Sequence, residues 1–410
     1  MKIGVIGAGI SGLTIARLLK KKGWNVTIYE KDDRVGGIAR TQDIDGHTYH
    51  TTGGHCFNSK HQDVLDFVFN EILSIDQWHK VERKARIRFK DNYVSYPIEY
   101  SMSEIAKFDL ELASSMVNDF YATSGEDRSN LSNWFISKFG RTLAEEYFIP
   151  YNEKIWNRKA SEMSPDWIED KLPLPDKAGF TKALLENNKD TMPHSSFYYP
   201  NSNNQNTFID ALADGVKVKF NTPINSIEKI GGTWFLNGQY EYDLIINTGP
   251  LNILPNIIKS CPDTVKNYAR NLNHNQVTTM LWTTTGANDT WTYHPGKETI
   301  FHRHIHIGNF FIPQQKISIT EAVGLHSYEE MKLEGDKFKE LLEPIGYHVS
   351  DYAYVVFDNN YKISRDAILD YLTSISLYTL GRFGEWEYYN MDICIKSAMK
   401  LSESLVQKHQ

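Results

Sequence analysis

Residues 2–41 limit what this chain can fold into more than any other stretch. Lys2 to Ile6 is a short, apolar, β-branched run, the pattern of a strand buried on both faces. Gly7, Gly9 and Gly12 come next in the spacing G-x-G-x-x-G and lead through Ile10 and Ser11 into residues 13–22, whose apolar side chains recur at helical spacing. Gly7 permits the tight turn, Gly9 lets backbone N–H groups approach a pyrophosphate, and Gly12 lets helix and strand pack closely with the anion at the helix start. A second strand, residues 25–29, ends in Glu30, where a carboxylate meets a ribose hydroxyl. The glycines by themselves are weak grounds, but strand, helix, second strand and acid in this order predict a dinucleotide site. A glycine-rich turn that merely packs would leave Glu30 unexplained.

The residues just past the acid decide between dinucleotides. Lys31, Arg34, Gly36, Gly37 and Arg40 extend the fingerprint beyond Glu30, and simple nicotinamide dehydrogenases lack this extension. It resembles the FAD-binding signature of the flavoproteins that include amine oxidases, protoporphyrinogen oxidases and UDP-galactopyranose mutases. The resemblance implies FAD, with the added arginine and glycines on its diphosphate.

Composition narrows the partners. A chain of 410 residues has room for two or three packed regions, and 41% apolar with 23% charged residues is ordinary for a soluble globular protein. A net charge of -7 gives no basic field, which argues against nucleic acid and asks any anionic substrate to meet a local cluster of cations. Three scattered cysteines, Cys56, Cys261 and Cys394, argue against a disulfide framework and a zinc site. With no signal peptide expected ahead of the first strand and no long apolar run, the expected setting is cytoplasmic, without membrane insertion.

Residues 51–57 (TTGGHCF) place Gly54 before His55, which predicts backbone passing a flat group and, beside an FAD signature, a loop facing the flavin. Residues 60–147 read as mostly helical, interrupted by a β-hairpin at 85–96. Pro150 is expected to break the following helix and leave Tyr147, Tyr151 and Trp156 near an irregular segment, as interdomain core or as stacking surfaces. Residues 171–175 are expected to be extended, 197–206 a polar loop, and 216–219 and 223–227 strands, with 242–250 a buried strand running into a Gly-Pro turn; the flavoprotein resemblance implies that it returns to the first sheet. His302, His304 and His306 alternate on one strand face, read as the polar face in preference to a metal site. Residues 350–361 read as strand and turn, 366–372 as a helical connector, and 377–382 as a strand entering a glycine turn and a C-terminal helix.

Together the fingerprint, Gly54–Phe57, residues 150–156 (PYNEKIW) and residues 381–392 (GRFGEWEYYNMD) resemble the UDP-galactopyranose mutase family over the whole chain. The implied architecture is α/β: an FAD-binding domain from residues 1–60, 205–262 and 366–410, a helical cap at 61–165, and a β substrate domain at 166–204 and 263–365. In that family reduced flavin N5 attacks the anomeric carbon of a nucleotide sugar, and the sugar recloses with the other ring size, feeding surface-glycan synthesis; members are commonly dimers. By resemblance, His55 lies at the reactive face of the flavin. Tyr147, Tyr151 and Trp156 surround nucleotide and sugar, and Tyr388 bonds the diphosphate. Gly381, Arg382, Asn390, Met391 and Asp392 meet the flavin, and the strand holding Ile224 lies beside the adenine. Asn390 stands where the family usually has Asp, and the mobile-loop arginine is missing. Arg303 and Lys171 are the expected replacements, because two phosphates need cations. The alternative is an amine-oxidase-like oxidoreductase.

Overall fold

The computed structural model describes residues 1–168, 172, 174, 176–186 and 195–409; Lys171, and with it most of the 171–175 stretch, lies outside them. The first strand, Lys2–Ile6, sits at the centre of a parallel sheet. Its neighbours are Asn25–Tyr29 and Leu244–Asn247, flanked in turn by Val218–Lys219 and Tyr378–Thr379. Leu244–Asn247 is buried throughout, as a strand covered on both faces must be. Helix Ile10–Lys21 packs against Met391–His409 through Leu13, Ile15, Leu19, Ile395 and Leu405, all inaccessible to solvent. Each such side chain is worth about 1.5–3 kcal/mol of burial, so the two ends of the chain are held together at the cofactor side.

A larger, mixed sheet forms the second layer. Its strands run in the order Leu341–Val355, His274–Thr284, Ile317–Val323, Phe301–Ile305, Trp291–Tyr293, Ala85–Phe89 and Asn92–Ser95. The expected hairpin at 85–96 is present, but it joins this sheet by pairing Ala85–Phe89 in parallel with Trp291–Tyr293. Residues 350–355 belong to the long strand that begins at Leu341. His302, His304 and His306 are buried, not on a polar face, because both faces of Phe301–Ile305 are covered. A further pair missed in sequence, Trp78–Glu82 with Ser196–Pro200, turns the start of the 197–206 loop into a strand.

Around the sheets lie helices Leu110–Ala122 and Leu131–Phe139, whose starts are capped by Asp109 accepting from Leu112 N and Asn130 accepting from Asn133 N. Pro150 does not break the next helix. Residues 144–148 widen into a π-turn, which absorbs the missing proline N–H, and Ile149–Trp156 continues as α-helix. Ile224 lies outside any strand; the strand expected over it starts at Ile227 and pairs with Thr233–Leu236. The strand expected over 377–382 is confined to Tyr378–Thr379, after which Gly381–Gly384 is already helical. Among the described residues no helix is long and apolar enough to cross a membrane.

Candidate active site

The glycine turn is a backbone device. Gly7 has φ +98, and a Cβ on Gly12 would collide with the Gly7 carbonyl oxygen, so neither position tolerates a side chain without displacement. Glu30 is buried and spans the turn, accepting from Ala8 N at 2.7 Å and Asp32 N at 3.0 Å. The second glycine pair closes over the first: Gly36 N donates to Ala8 O at 2.9 Å, and Gly36 and Gly37 take φ +109 and +56. Ile10 and Ser11 open the helix behind them, and a Cβ on Gly381 would collide with Ser11 Oγ, so the C-terminal turn closes on the same cradle. Met391 and Asp392 are the buried first residues of Met391–His409. Two helix starts with free N–H groups thus face one region, which suits a diphosphate.

Several buried polar atoms near this turn and the loop of Gly54 and His55 lack a partner among the described residues: Gln205 Oε1, Arg40 Nη1, Arg382 Nε and Nη2, and His55 Nε2. Arg40 also pairs with Asp32 at 2.8 Å, and Arg34 lies near Asp210. Lys31 points to solvent and pairs with Asp32 at 3.1 Å, and Asn390 is exposed, its carbonyl taking the Cys394 N–H.

His55 belongs to a fixed loop. Its backbone N–H donates to His50 Nδ1 at 3.2 Å, so neutral His50 carries its proton on Nε2 and faces Tyr199 Oη at 2.6 Å. Burial, reinforced by Arg382, pushes the His55 imidazole down to about 4, so it is neutral at ordinary pH. His50 and Tyr199 carry no motif of their own; the sole signal for them is the histidine-rich approach to the glycine pair.

A β-bulge supplies the other wall. Phe301 pairs with Ala322 and Arg303 with Glu321, so His302 and Arg303 together oppose Glu321. Both reach it: Arg303 Nε donates to Glu321 Oε2 at 2.8 Å, Arg303 Nη2 bonds the same oxygen, and His302 Nε2 lies 3.4 Å away. Burial alone would raise the Glu321 carboxyl, but Arg303 and then His302 hold it well below the usual range. Gly53 backs onto this pair, where a Cβ would lie 3.0 Å from Glu321 Oε1 and 3.2 Å from Arg303 Nη2. The loop at residues 51–57 is thereby docked on the bulge.

Aromatic rings line the space between. Tyr147 and Tyr151 stack at 5.6 Å, Tyr354 and Tyr388 at 6.1 Å, and Trp156 meets Tyr354 and Tyr388 edge-on at 5.9 and 6.1 Å. The Arg382 guanidinium lies 4.8 Å from the Tyr388 ring centre and 5.2 Å from that of Tyr354. Burial raises the Tyr151 and Tyr354 phenols, so both stay protonated and able to donate. Residues from the beginning, middle and end of the chain therefore meet in one largely buried cluster of rings and guanidinium groups, the candidate cleft. Gly54 packs on Ile305, and Ile224, half-buried, packs against the core.

A Rossmann-type cradle beside an aromatic, arginine-bearing cleft defines a flavoprotein-type enzyme scaffold. The family profile for flavin containing amine oxidoreductases matches residues 10–300, and the chain belongs to that family. It is 24% identical over 171 residues to UDP-galactopyranose mutase of Mycoplasma pneumoniae, covering 39% of this chain and 42% of that one. It is 25% identical over 180 residues to dTDP-fucopyranose mutase of Escherichia coli, covering 42% and 46%. The chain thus spans less than half the length of either relative. The crystal structure of reduced UDP-galactopyranose mutase shares the fold at TM-score 0.86, with 21% identity over 99% of this chain and 95% of that one.

Proposed function

We propose that the chain is an FAD-dependent mutase that interconverts pyranose and furanose forms of a nucleotide sugar. The observation that carries this reading is the cluster of stacked tyrosines and a tryptophan beside guanidinium groups, joined to the glycine cradle through the turn at Gly381 and Arg382. A base or sugar finds rings to stack on, and a diphosphate finds Arg303 and phenolic donors from Tyr354 and Tyr388. The Mycoplasma and Escherichia coli relatives are both named for pyranose mutases, which supports the same class.

FAD would be held by Gly7, Gly9, Gly12, Glu30, Gly36, Gly37, Arg40, Arg382, Met391 and Asp392, whose unpartnered atoms and close backbone contacts fit it. When bound and reduced, it supplies a nucleophilic nitrogen at which the anomeric carbon exchanges its leaving group without net oxidation. Neutral His55 would add no charge beside the bound group, and its Nε2 is left without a partner among the described residues. Trp156, Tyr147 and Tyr151 exclude water while the leaving diphosphate is held for return. Asn390, being exposed, is assigned no more than a place at the rim. The reading extends to a cytoplasmic homodimer feeding surface-glycan synthesis, which cell fractionation and size-exclusion chromatography test.

The experiment is chromatography of nucleotide sugars after incubation with dithionite-reduced protein. An isomer of unchanged mass, formed only with reduced flavin, is expected. No isomer from any UDP-, dTDP- or GDP-sugar, with flavin re-oxidation coupled to an amine or alcohol, would replace the mutase with the oxidase.

A further inference from the structure

Three guanidinium groups surround the cleft, and they differ in what neutralises them. Arg303 is held by Glu321. Arg382 lies over the Tyr354 and Tyr388 rings, with Nε and Nη2 buried and unpartnered among the described residues. Arg83 remains, which in the sequence is one of a charged run before a hairpin. It joins the two strands Trp78–Glu82 and Ala85–Phe89, with its backbone N–H fixed on Ser195 O at 2.9 Å. Its side chain lies 5.4 Å from the Tyr96 ring centre and 5.1 Å from that of Trp291. Nη2 donates to Tyr293 Oη at 2.8 Å, while Nε is buried without a partner. Among the described residues no carboxylate pairs with it. Glu99, near Tyr96, is pushed up to about 8 by burial and holds its proton around neutrality.

Burying a guanidinium beside rings and one phenol leaves its charge uncompensated, and an anion is the natural complement. Arg83 borders the cleft and not some separate place. Tyr293 sits 5.9 Å from Tyr151, which stacks on Tyr147, and Cys56, next to His55, senses both Arg83 and Arg303. We infer that Arg83 binds an anionic group of the substrate, on the same side as Arg303, whose cross-strand partner Tyr293 takes the Arg83 hydrogen bond. The inference rests on the nucleotide-sugar reading for the identity of that substrate. It also supplies a cation without a carboxylate partner beside an Arg303 that Glu321 already holds. The anion is either the nucleotide diphosphate or an acidic substituent on the sugar.

The test is calorimetric binding to the flavin-loaded protein of four probes: UDP, UDP-galactose, UDP-galacturonate and inorganic pyrophosphate. Wild-type protein is compared with Arg83→Gln and Arg83→Lys, with flavin absorbance and melting temperature as checks of folding. Arg83→Gln is expected to weaken binding about tenfold or more, with flavin content unchanged and Arg83→Lys between the two. Equal losses for UDP and UDP-galactose assign the diphosphate, and a loss confined to UDP-galacturonate assigns the sugar acid. Unchanged binding of all four probes in Arg83→Gln overturns the inference while leaving the nucleotide reading intact. If wild-type protein binds pyrophosphate through Arg83 but no nucleotide, the anion site stands and the nucleotide reading falls. If wild-type protein binds none of the four, both fall. Should Arg83→Gln fail to fold, Tyr293→Phe removes the hydroxyl that orients the guanidinium; a loss of about threefold is expected, and no loss overturns the inference.

Discussion

The cradle and the cleft are built on different principles. The cradle is made of backbone: glycines whose missing side chains let Gly12 approach Gly7, Gly37 approach Gly9 and Gly381 approach Ser11. The cleft is made of side chains from separated strands and helices, with Arg303, Glu321, Tyr354 and Tyr388 meeting only in the folded sheet. Backbone sites are defined by local spacing and fail when anything is added. Side-chain sites are defined by long-range pairing and fail when a partner is removed.

The largest expected effect adds a side chain to the cradle. In Gly12→Val the new Cβ meets the Gly7 carbonyl, an overpacking cost of about 3 kcal/mol, or roughly a hundredfold in flavin affinity. The purified variant should carry almost no flavin by absorbance while remaining folded by circular dichroism. Near-stoichiometric flavin would show that the turn is not the binding device. The converse removes a partner from the cleft. Glu321→Gln leaves Arg303 buried with no carboxylate, costing on the order of 3 kcal/mol in urea unfolding. Flavin per chain in the native protein should stay unchanged. A loss of flavin with unaltered stability would mean that the two regions are not separable in this way.

That contrast also sets what the sequence could reveal. Strand, glycine turn, helix and Glu30 lie within one local unit, and each signature residue has a local reason for its type, so the fold class and the cradle were legible. The C-terminal turn was legible for the same reason, because Gly381 precedes a helix start. The bulge was not. His302 and Arg303 look like alternating strand residues until their partner Glu321 is known, and the pairing gives Glu321 two neighbours instead of one. Arg83 and Tyr354 carry no local pattern that sets them apart from a charged hairpin or an apolar strand. Pro150 misled because the π-turn that accommodates it is fixed by packing around Tyr147 and Phe148, not by its own neighbours. Ile224 was placed by resemblance alone, and a shift of the strand start to Ile227 was enough to remove it from its expected element.

A smaller, graded effect comes from pH. Burial lowers the imidazoles of His50, His55, His294, His302, His304 and His306, with His55 and His306 down to about 4. None of these residues belongs to the glycine cradle. A histidine whose folded value lies below its unfolded value binds fewer protons in the native state, so stability falls as pH drops from 6.5 toward 4. Each group contributes at most about 1.4 kcal/mol per pH unit inside that window. Thermal melts should fall steeply between pH 6.5 and 4, and His304→Phe, among Phe301, Phe338 and His294, should flatten the slope. An unchanged slope would assign acid sensitivity to carboxylates instead. Above pH 5, His55 should add no break to the rate profile.

The smallest effect sharpens the boundary between the two regions. Tyr388 lies under the Arg382 guanidinium at 4.8 Å, yet its ring packs against Trp156 and Tyr354 on the cleft side. If its hydroxyl serves the substrate, Tyr388→Phe removes one hydrogen bond to a charged oxygen and keeps every ring contact. Binding of UDP or a UDP-sugar should weaken by about tenfold, near 1.4 kcal/mol, with flavin content and spectrum unaltered. A flavin loss with unchanged nucleotide affinity would move Tyr388, and with it the guanidinium of Arg382 that lies over its ring, from the cleft into the cradle. The border between a backbone-built cofactor site and a side-chain-built substrate site would then run on the other side of this ring.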